Sequence, residues 1–198
     1  MSYLYGISPN NKIKATGSKG KYLFFKNKKC LDLSFASGSL ILGHTSKVFK
    51  KSIKSINQTG SNYSLLNTFV EKFSLTLKKI YPEFSKFIMC ATGSEANMKA
   101  LRIARAITGK KKIAMISGSW HGSVDELLYS SHDDMSKFQK KLSNGLVNYR
   151  NTILIPYNNI ERSLKILKKQ KKQIAVLIME PIQQSLPLEQ SEKYIKEI

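Results

Sequence analysis

The chain has 198 residues, 41% of them hydrophobic, which is enough for an ordinary domain with a sizeable core, and its formal net charge is +20. Only four of the 33 basic residues are arginines, the residue that makes bidentate contacts to bases and phosphates, and the lysines are spread along the chain. The composition therefore argues against a specific nucleic-acid partner and leaves non-specific polyanion binding at low salt.

The first predicted elements are a hairpin and two helices. Apolar residues at 22–25 and 31–35 flank a turn at 27–29, which predicts two paired strands. The periodicity over 46–57 predicts a helix whose apolar residues face inward, namely Val48, Phe49, Ile53 and Ile56. After a break at 60–62, a longer helix is predicted from Thr68 to Ile80 and ends before Pro82.

From residue 87 onward, short apolar runs alternate with helical patterns. The runs at 87–90, 112–116 and 174–179 are predicted strands, and 130–151 is predicted as an irregular loop with a short helix. Such alternation is typical of an α/β protein with a mostly parallel sheet covered by helices. The run at 174–179 is the last predicted strand, so we expect it to present an unpaired edge or face.

The segment 91–97 links the first of these strands to a helix that begins near Ser94 and ends before Gly109. The first turn of a helix has unpaired N–H groups and a partial positive charge, so it can bind a phosphate. Gly93 allows close approach of the backbone, and the Ser94 hydroxyl can add a hydrogen bond. A serine that merely caps the helix would look the same.

Two further turns follow predicted strands, at the edge where parallel sheets bind ligands. One contains Trp120, the only tryptophan, which is either a flat surface for an aromatic ring or a side chain packed under a loop. The other begins with Glu180, which is either a site carboxylate or a solvated charge at a strand end. These turns favour a ligand site beside Ser94.

In chain order, these motifs resemble the class III aminotransferases, the pyridoxal 5'-phosphate (PLP) enzymes of fold type I that include glutamate-1-semialdehyde aminomutase. The matching segments are Gly43-His44, Asn62-Tyr63-Ser64, Thr92-Gly93-Ser94-Glu95-Ala96, Ala100 to Ala106 with Thr108-Gly109, Trp120-His121-Gly122 with Asp125, Pro156-Tyr157-Asn158 and Glu180-Pro181. The resemblance implies that 1–60 is the N-terminal part of a small domain. It implies that 61–198 is the front portion of a large PLP-binding domain, truncated before the family's later strands.

The resemblance also implies roles for individual residues. The backbone at Gly93 and Ser94 would hold the PLP phosphate, Trp120 would stack on the pyridine ring and Glu180 would border the pocket. His121 would shape the turn. Family members transfer an amino group from a small-molecule donor to an acceptor, or within one substrate in the aminomutase, and are homodimers with active sites at the subunit interface.

Two family residues have no counterpart here: the aspartate that pairs with the pyridine nitrogen and the lysine that forms the Schiff base. The remaining candidates, Lys193 and Lys196, lie in a polar segment that predicts the start of a helix and do not follow a strand. We therefore expect no catalytic residue in this chain and, at best, weak reversible PLP binding. The alternatives are a non-catalytic remnant or basic binding protein, and one half of a split aminotransferase.

The cysteines and histidines predict neither a metal site nor export. Cys30 and Cys90 lack the spacing of metal ligands, and His44, His121 and His132 are scattered along the chain. The first residues lack the pattern of a signal peptide, and no apolar run approaches the length of a membrane-spanning helix. We expect a cytoplasmic protein with reduced thiols and no membrane partner.

Overall fold

The described part of the chain contains two three-stranded sheets, one antiparallel and one parallel. The computed structural model describes residues 14–26, 28–36, 38–60, 67–128, 151–183 and 191–198. It divides the chain into two units, Met1–Ser85 and Lys86–Ile198, each of which contains one of the sheets. None of the described helices is both long enough and apolar enough to cross a membrane.

The first unit begins with an antiparallel sheet of β1 (Gly17–Lys19), β2 (Tyr22–Phe25) and β3 (Lys28–Leu31). The predicted hairpin is confirmed, but its second strand is Lys28–Leu31 rather than 31–35, so the predicted and observed strands share only Leu31. Lys28 pairs with Phe25, and Leu31 pairs with Tyr22. The turn is therefore shorter than predicted, because the two lysines assigned to it pair in the ladder.

Two helices follow, α1 (Lys47–Thr59) and α2 (Thr68–Ile80). The bounds of α2 are those predicted, and both helices have a capping side chain. Ser46 Oγ accepts a hydrogen bond from the Phe49 N–H at 3.4 Å, and Asn67 Oδ1 accepts from the N–H groups of Phe69 and Val70 at 3.0 Å each. These local signals explain why the sequence predicted the helix starts so closely.

The prediction that the apolar face of α1 is buried was wrong. Val48 is 63% exposed and Phe49 60%, and neither α1 nor α2 has a buried residue. Helical periodicity shows that one face is apolar, but burial also needs an element that packs against it. No described element of this unit buries that face.

The second unit has a parallel sheet with β4 (Lys112–Ile116) in the centre, β5 (Thr152–Ile155) on one side and β6 (Ile174–Ile178) on the other. Its helices are α3 (Gly93–Thr108), α4 (Ile160–Gln170) and α5 (Ser191–Glu197). The predicted α/β class is confirmed. The carboxyl ends of all three strands lie at the same edge of this sheet, so the turns after β4 and β6 are neighbours.

The core of the second unit lies on both faces of β4. Ile113 and Met115 pack with Leu101 of α3 and with Leu127. Ala114 and Ile116 point to the opposite face, as alternation along a strand requires, and pack with Ile155 and Tyr194.

Tyr194 was not predicted as a core residue, although the helix that contains it was. It is 1% exposed, and its hydroxyl donates to the Pro156 carbonyl at 2.9 Å and lies 2.9 Å from the hydroxyl of Ser163. A tyrosine can be fully buried when its hydroxyl has such partners. Tyr194 therefore anchors α5, which the polar sequence around it did not indicate.

Two expectations about strands need correction. Residues 87–90 do not form a strand, and Ile88 and Met89 are 60% and 53% exposed. A strand needs a neighbour, and no described strand pairs with this segment. β6 pairs only with β4 among the described strands, so its outer edge is unpaired as expected, but its residues are half-buried and pack on both core clusters. Residues 130–150 of the predicted loop at 130–151, and the motif at 62–64, lie outside the described residues.

Candidate functional site

The site is built on the first turn of α3. Thr92 Oγ1 accepts a hydrogen bond from the Glu95 N–H at 3.1 Å, Glu95 Oε2 accepts from the Ala91 N–H at 2.7 Å, and the Thr92 carbonyl accepts from the Ala96 N–H at 3.1 Å. The N–H groups of Gly93 and Ser94 make no hydrogen bond within the described ranges. Thr92, rather than Ser94, is thus the capping residue, and two donors remain for a ligand.

The space at Gly93 fits an anion. A Cβ atom added at this glycine would meet no heavy atom within 4 Å, so the backbone is open to a ligand there. The partial positive charge at a helix N-terminus favours a dianionic phosphate. The donors and the open space together match the phosphate group of PLP.

The turn after β4 lies directly on this first turn of α3. The Ser123 N–H donates to Ser94 Oγ at 3.0 Å, and Asn97 Nδ2 donates to the His121 carbonyl at 2.9 Å. Gly122 has a φ of +81°, and a Cβ there would lie 3.0 Å from Ser94 Cα. A glycine is therefore required at 122 both by its backbone conformation and by the close approach of α3.

Trp120 and Glu180 meet at the same edge of the sheet. The Trp120 N–H donates to Glu180 Oε2 at 3.1 Å, which joins the turn after β4 to the segment after β6. The Trp120 side chain is 61% exposed, so it is not packed under a loop. The turn that contains Trp120 also contacts Ser94, and the structure thus brings the four predicted residues, Gly93, Ser94, Trp120 and Glu180, into one region.

His121 is buried, at 6% exposure, and its Nε2 has no hydrogen-bond partner among the described residues. Burial lowers the pKa of this imidazole, and the nearby negative charge of Glu180 opposes that effect only in part. Burial thus favours the neutral form of His121, and its proposed role in shaping the turn stays a prediction.

Gln183 was not predicted from the sequence as a site residue. This side chain is 2% exposed, and its Nε2 donates to the Ser117 carbonyl at 2.7 Å and to Ser119 Oγ at 2.9 Å. One signal pointed to it: it follows Glu180 by three residues at the carboxyl end of a strand.

The lysines considered as Schiff-base candidates lie on α5. Lys196 pairs with Glu192 of the same helix at 2.6 Å on an exposed surface. Lys193 also lies within α5, and neither lysine follows a strand. Over the described ranges, no group of three or more His, Cys, Asp or Glu side chains is arranged to hold a metal ion.

The family model described as Aminotransferase class-III matches residues 7–188 of the chain. The chain belongs to the class III aminotransferase family. It is 31% identical over 195 residues to a glutamate-1-semialdehyde 2,1-aminomutase of Archaeoglobus fulgidus, covering 97% of this chain and 46% of that protein. It is 34% identical over 173 residues to the aminomutase of Wigglesworthia glossinidia brevipalpis, covering 85% of this chain and 40% of that protein. This class III chain therefore spans less than half the length of these two relatives.

Solved structures agree on the fold. A transaminase with PLP bound matches with a TM-score of 0.74 and 22% identity, covering 96% of this chain and 46% of that chain. A glutamate-1-semialdehyde aminomutase from Pseudomonas aeruginosa PAO1 matches with a TM-score of 0.76 and 18% identity, covering 93% and 42%. This class III chain has about half of the transaminase fold, which confirms the predicted fold type.

Proposed function

We propose that this chain is the cofactor-phosphate and ring-binding part of a PLP-dependent aminotransferase or aminomutase. One observation supports this most directly: the turn at 120–123 lies on the first turn of α3, where two N–H groups remain for a ligand among the described residues. Family membership and the PLP-bound structural neighbour add to it.

Each residue has a defined task in this proposal. The N–H groups of Gly93 and Ser94 donate to the phosphate. The Ser94 hydroxyl accepts from the Ser123 N–H, so its own hydrogen is available for a phosphate oxygen. Trp120 presents its exposed indole to the pyridine ring, and Glu180 fixes the Trp120 backbone while bordering the pocket. PLP, when bound, supplies the electron sink for transfer of the amino group.

We propose no Schiff-base lysine in this chain, because Lys193 and Lys196 lie on α5 and not after a strand. The substrates would be a small-molecule amino donor and acceptor; one structural neighbour is a taurine:2-oxoglutarate aminotransferase in complex with PLP and glutamate. Homodimer formation, a domain boundary near residue 60 and a cytoplasmic location are parts of the same proposal, taken from the family resemblance and the cysteine pattern.

A Gly93→Asp substitution tests the phosphate site. The carboxylate would occupy the open space beside the first turn of α3 and repel the phosphate, so PLP affinity should fall at least about tenfold. Stability should not fall, because an acidic residue at a helix N-terminus is favourable by about 0.3–1 kcal/mol. PLP binding is measured by quenching of Trp120 fluorescence and by equilibrium dialysis, with inorganic phosphate as competitor.

The matched control is Ala100→Asp, which adds the same charge to an exposed position of α3 about two turns away. It should change PLP affinity much less. An equal loss of PLP affinity in both variants would mean that the effect comes from the change in net charge. Nucleic-acid retention that is sensitive to salt, together with no PLP affinity in the unsubstituted chain, would instead support the basic binding protein.

A further inference from the structure

The segment that follows β6 holds the turn that follows β4 at both ends. Gln183 Nε2 donates to the Ser117 carbonyl at 2.7 Å and to Ser119 Oγ at 2.9 Å, and Glu180 Oε2 accepts from the Trp120 N–H at 3.1 Å. Three hydrogen bonds therefore join residues 180–183 to residues 117–120.

The contacts of Gln183 are buried, which makes them difficult to replace. Gln183 is 2% exposed and Ser119 is 6% exposed, so water does not reach this pair readily. A buried polar group that loses its partner pays its full desolvation cost, whereas an exposed group would bind water instead. Both hydrogens of the Gln183 amide are used, one on a main-chain carbonyl and one on a side chain.

We propose that Gln183 is a positioning residue for Trp120. It fixes residues 117–119, so that the backbone of the next residue is presented to the Glu180 carboxylate and the indole is directed away from the sheet. The 61% exposure of Trp120 is consistent with this arrangement, since the direction of so exposed a ring depends largely on the backbone that carries it. The part concerning ligand affinity rests on the proposed function, and the part concerning the turn does not.

The test compares Gln183→Met with Gln173→Met. Methionine has a similar size but no donor, and Gln173 is exposed in the turn before β6, at the opposite end of the strands. Hydrogen exchange at the Ser119 and Trp120 amides should accelerate at least about fivefold in Gln183→Met and stay unchanged in Gln173→Met.

Ligand binding gives a second measurement that a general loss of stability would not reproduce. PLP affinity should fall at least about fivefold in Gln183→Met, because the ring contact is displaced. Affinity for inorganic phosphate should remain, since the Gly93 and Ser94 donors belong to α3. An equal loss of both affinities would assign Gln183 a merely structural role and overturn the proposal.

The experiments distinguish a failure of the proposed function from a failure of the positioning role of Gln183. If the unsubstituted chain binds neither PLP nor phosphate, the proposed function is wrong, while the exchange measurement still decides the role of Gln183. Unchanged exchange at Trp120 in a folded Gln183→Met would overturn the positioning role. If that variant does not fold, Ser119→Ala removes one acceptor with a smaller change, and it should accelerate exchange at Trp120; no acceleration there would equally overturn it.

Discussion

Ser94 takes part in both the fold and the candidate site. Its hydroxyl oxygen accepts the Ser123 N–H at 3.0 Å, which holds the turn against α3, while its own N–H makes no hydrogen bond within the described ranges. His121 lies two residues before Ser123 and is fixed through its carbonyl by Asn97. Hydrogen bonds thus fix the main chain of the turn, and the main chain determines the positions of the side chains.

The buried His121 predicts a dependence of stability on pH. Burial lowers the pKa of His121 in the folded state below its ordinary value near 6.5, so the folded state favours the neutral imidazole. Above the unfolded pKa the imidazole is neutral in both the folded and the unfolded state, and the fold has its full stability. As pH falls through about 6.5 towards the folded pKa, the unfolded state takes up a proton more readily than the folded state, so stability is lost.

The free energy of unfolding of the second unit, measured by urea denaturation, should therefore decrease below about pH 6.5. A His121→Gln variant should show a shallower decrease, because glutamine does not titrate. The same slope in both proteins would mean that the imidazole is accessible to water in the folded state.

At the scale of elements, the contact between the turn after β4 and the first turn of α3 determines the site. Gly122 permits this contact, since its φ is +81° and a Cβ would lie 3.0 Å from Ser94 Cα. Gly93 faces open space instead. These two glycines therefore respond differently to the same substitution.

Gly122→Ala should destabilise the second unit by about 1–3 kcal/mol, the usual cost of a strained backbone conformation, and should weaken PLP binding by displacing the turn. Gly93→Ala is the matched control: it should be neutral or stabilise α3 by up to about 1 kcal/mol, because alanine is the better helix former. Urea denaturation measures both changes. Comparable losses in the two variants would contradict the close approach at Gly122.

At the scale of the whole molecule, the two units differ in how their apolar side chains are buried. The second unit has core clusters on both faces of β4. In the first unit, large apolar side chains are exposed on both helices, among them Val48 (63%), Phe49 (60%), Phe73 (44%) and Leu75 (57%). Exposed apolar surface of this extent is typical of regions that pack against another protein or another segment.

We therefore expect the purified chain to self-associate through α1 and α2. Phe49→Gln should reduce the apparent mass measured by light scattering during size-exclusion chromatography. Ile107→Gln, at a residue of α3 that is 79% exposed, is the control and should have little effect. A monodisperse monomer that unfolds cooperatively would contradict this prediction, and it would count against the proposal that these residues are part of a larger enzyme.

The candidate site could be predicted in part because its main features are local. Trp120 and Glu180 follow β4 and β6, and parallel strands bring such turns to one edge, while Gly93 and Ser94 begin a helix whose start the local sequence indicates. Gln183 and Tyr194 could not be predicted in the same way. Each is polar or amphipathic and lies in a polar segment, and its burial depends on hydrogen-bond partners that are 31 or more residues away.

The sequence by itself determined the positions of α1, α2 and α3, the central strand β4 and the order of the turns, because glycine stops, helix-ending prolines and apolar periodicity act over a few residues. Only the tertiary structure decided that 87–90 is not a strand, that the apolar face of α1 is exposed and that Trp120 projects from a turn held by Gln183. Strand pairing, burial and buried hydrogen bonds each require a partner distant in the chain, and the local sequence does not specify that partner.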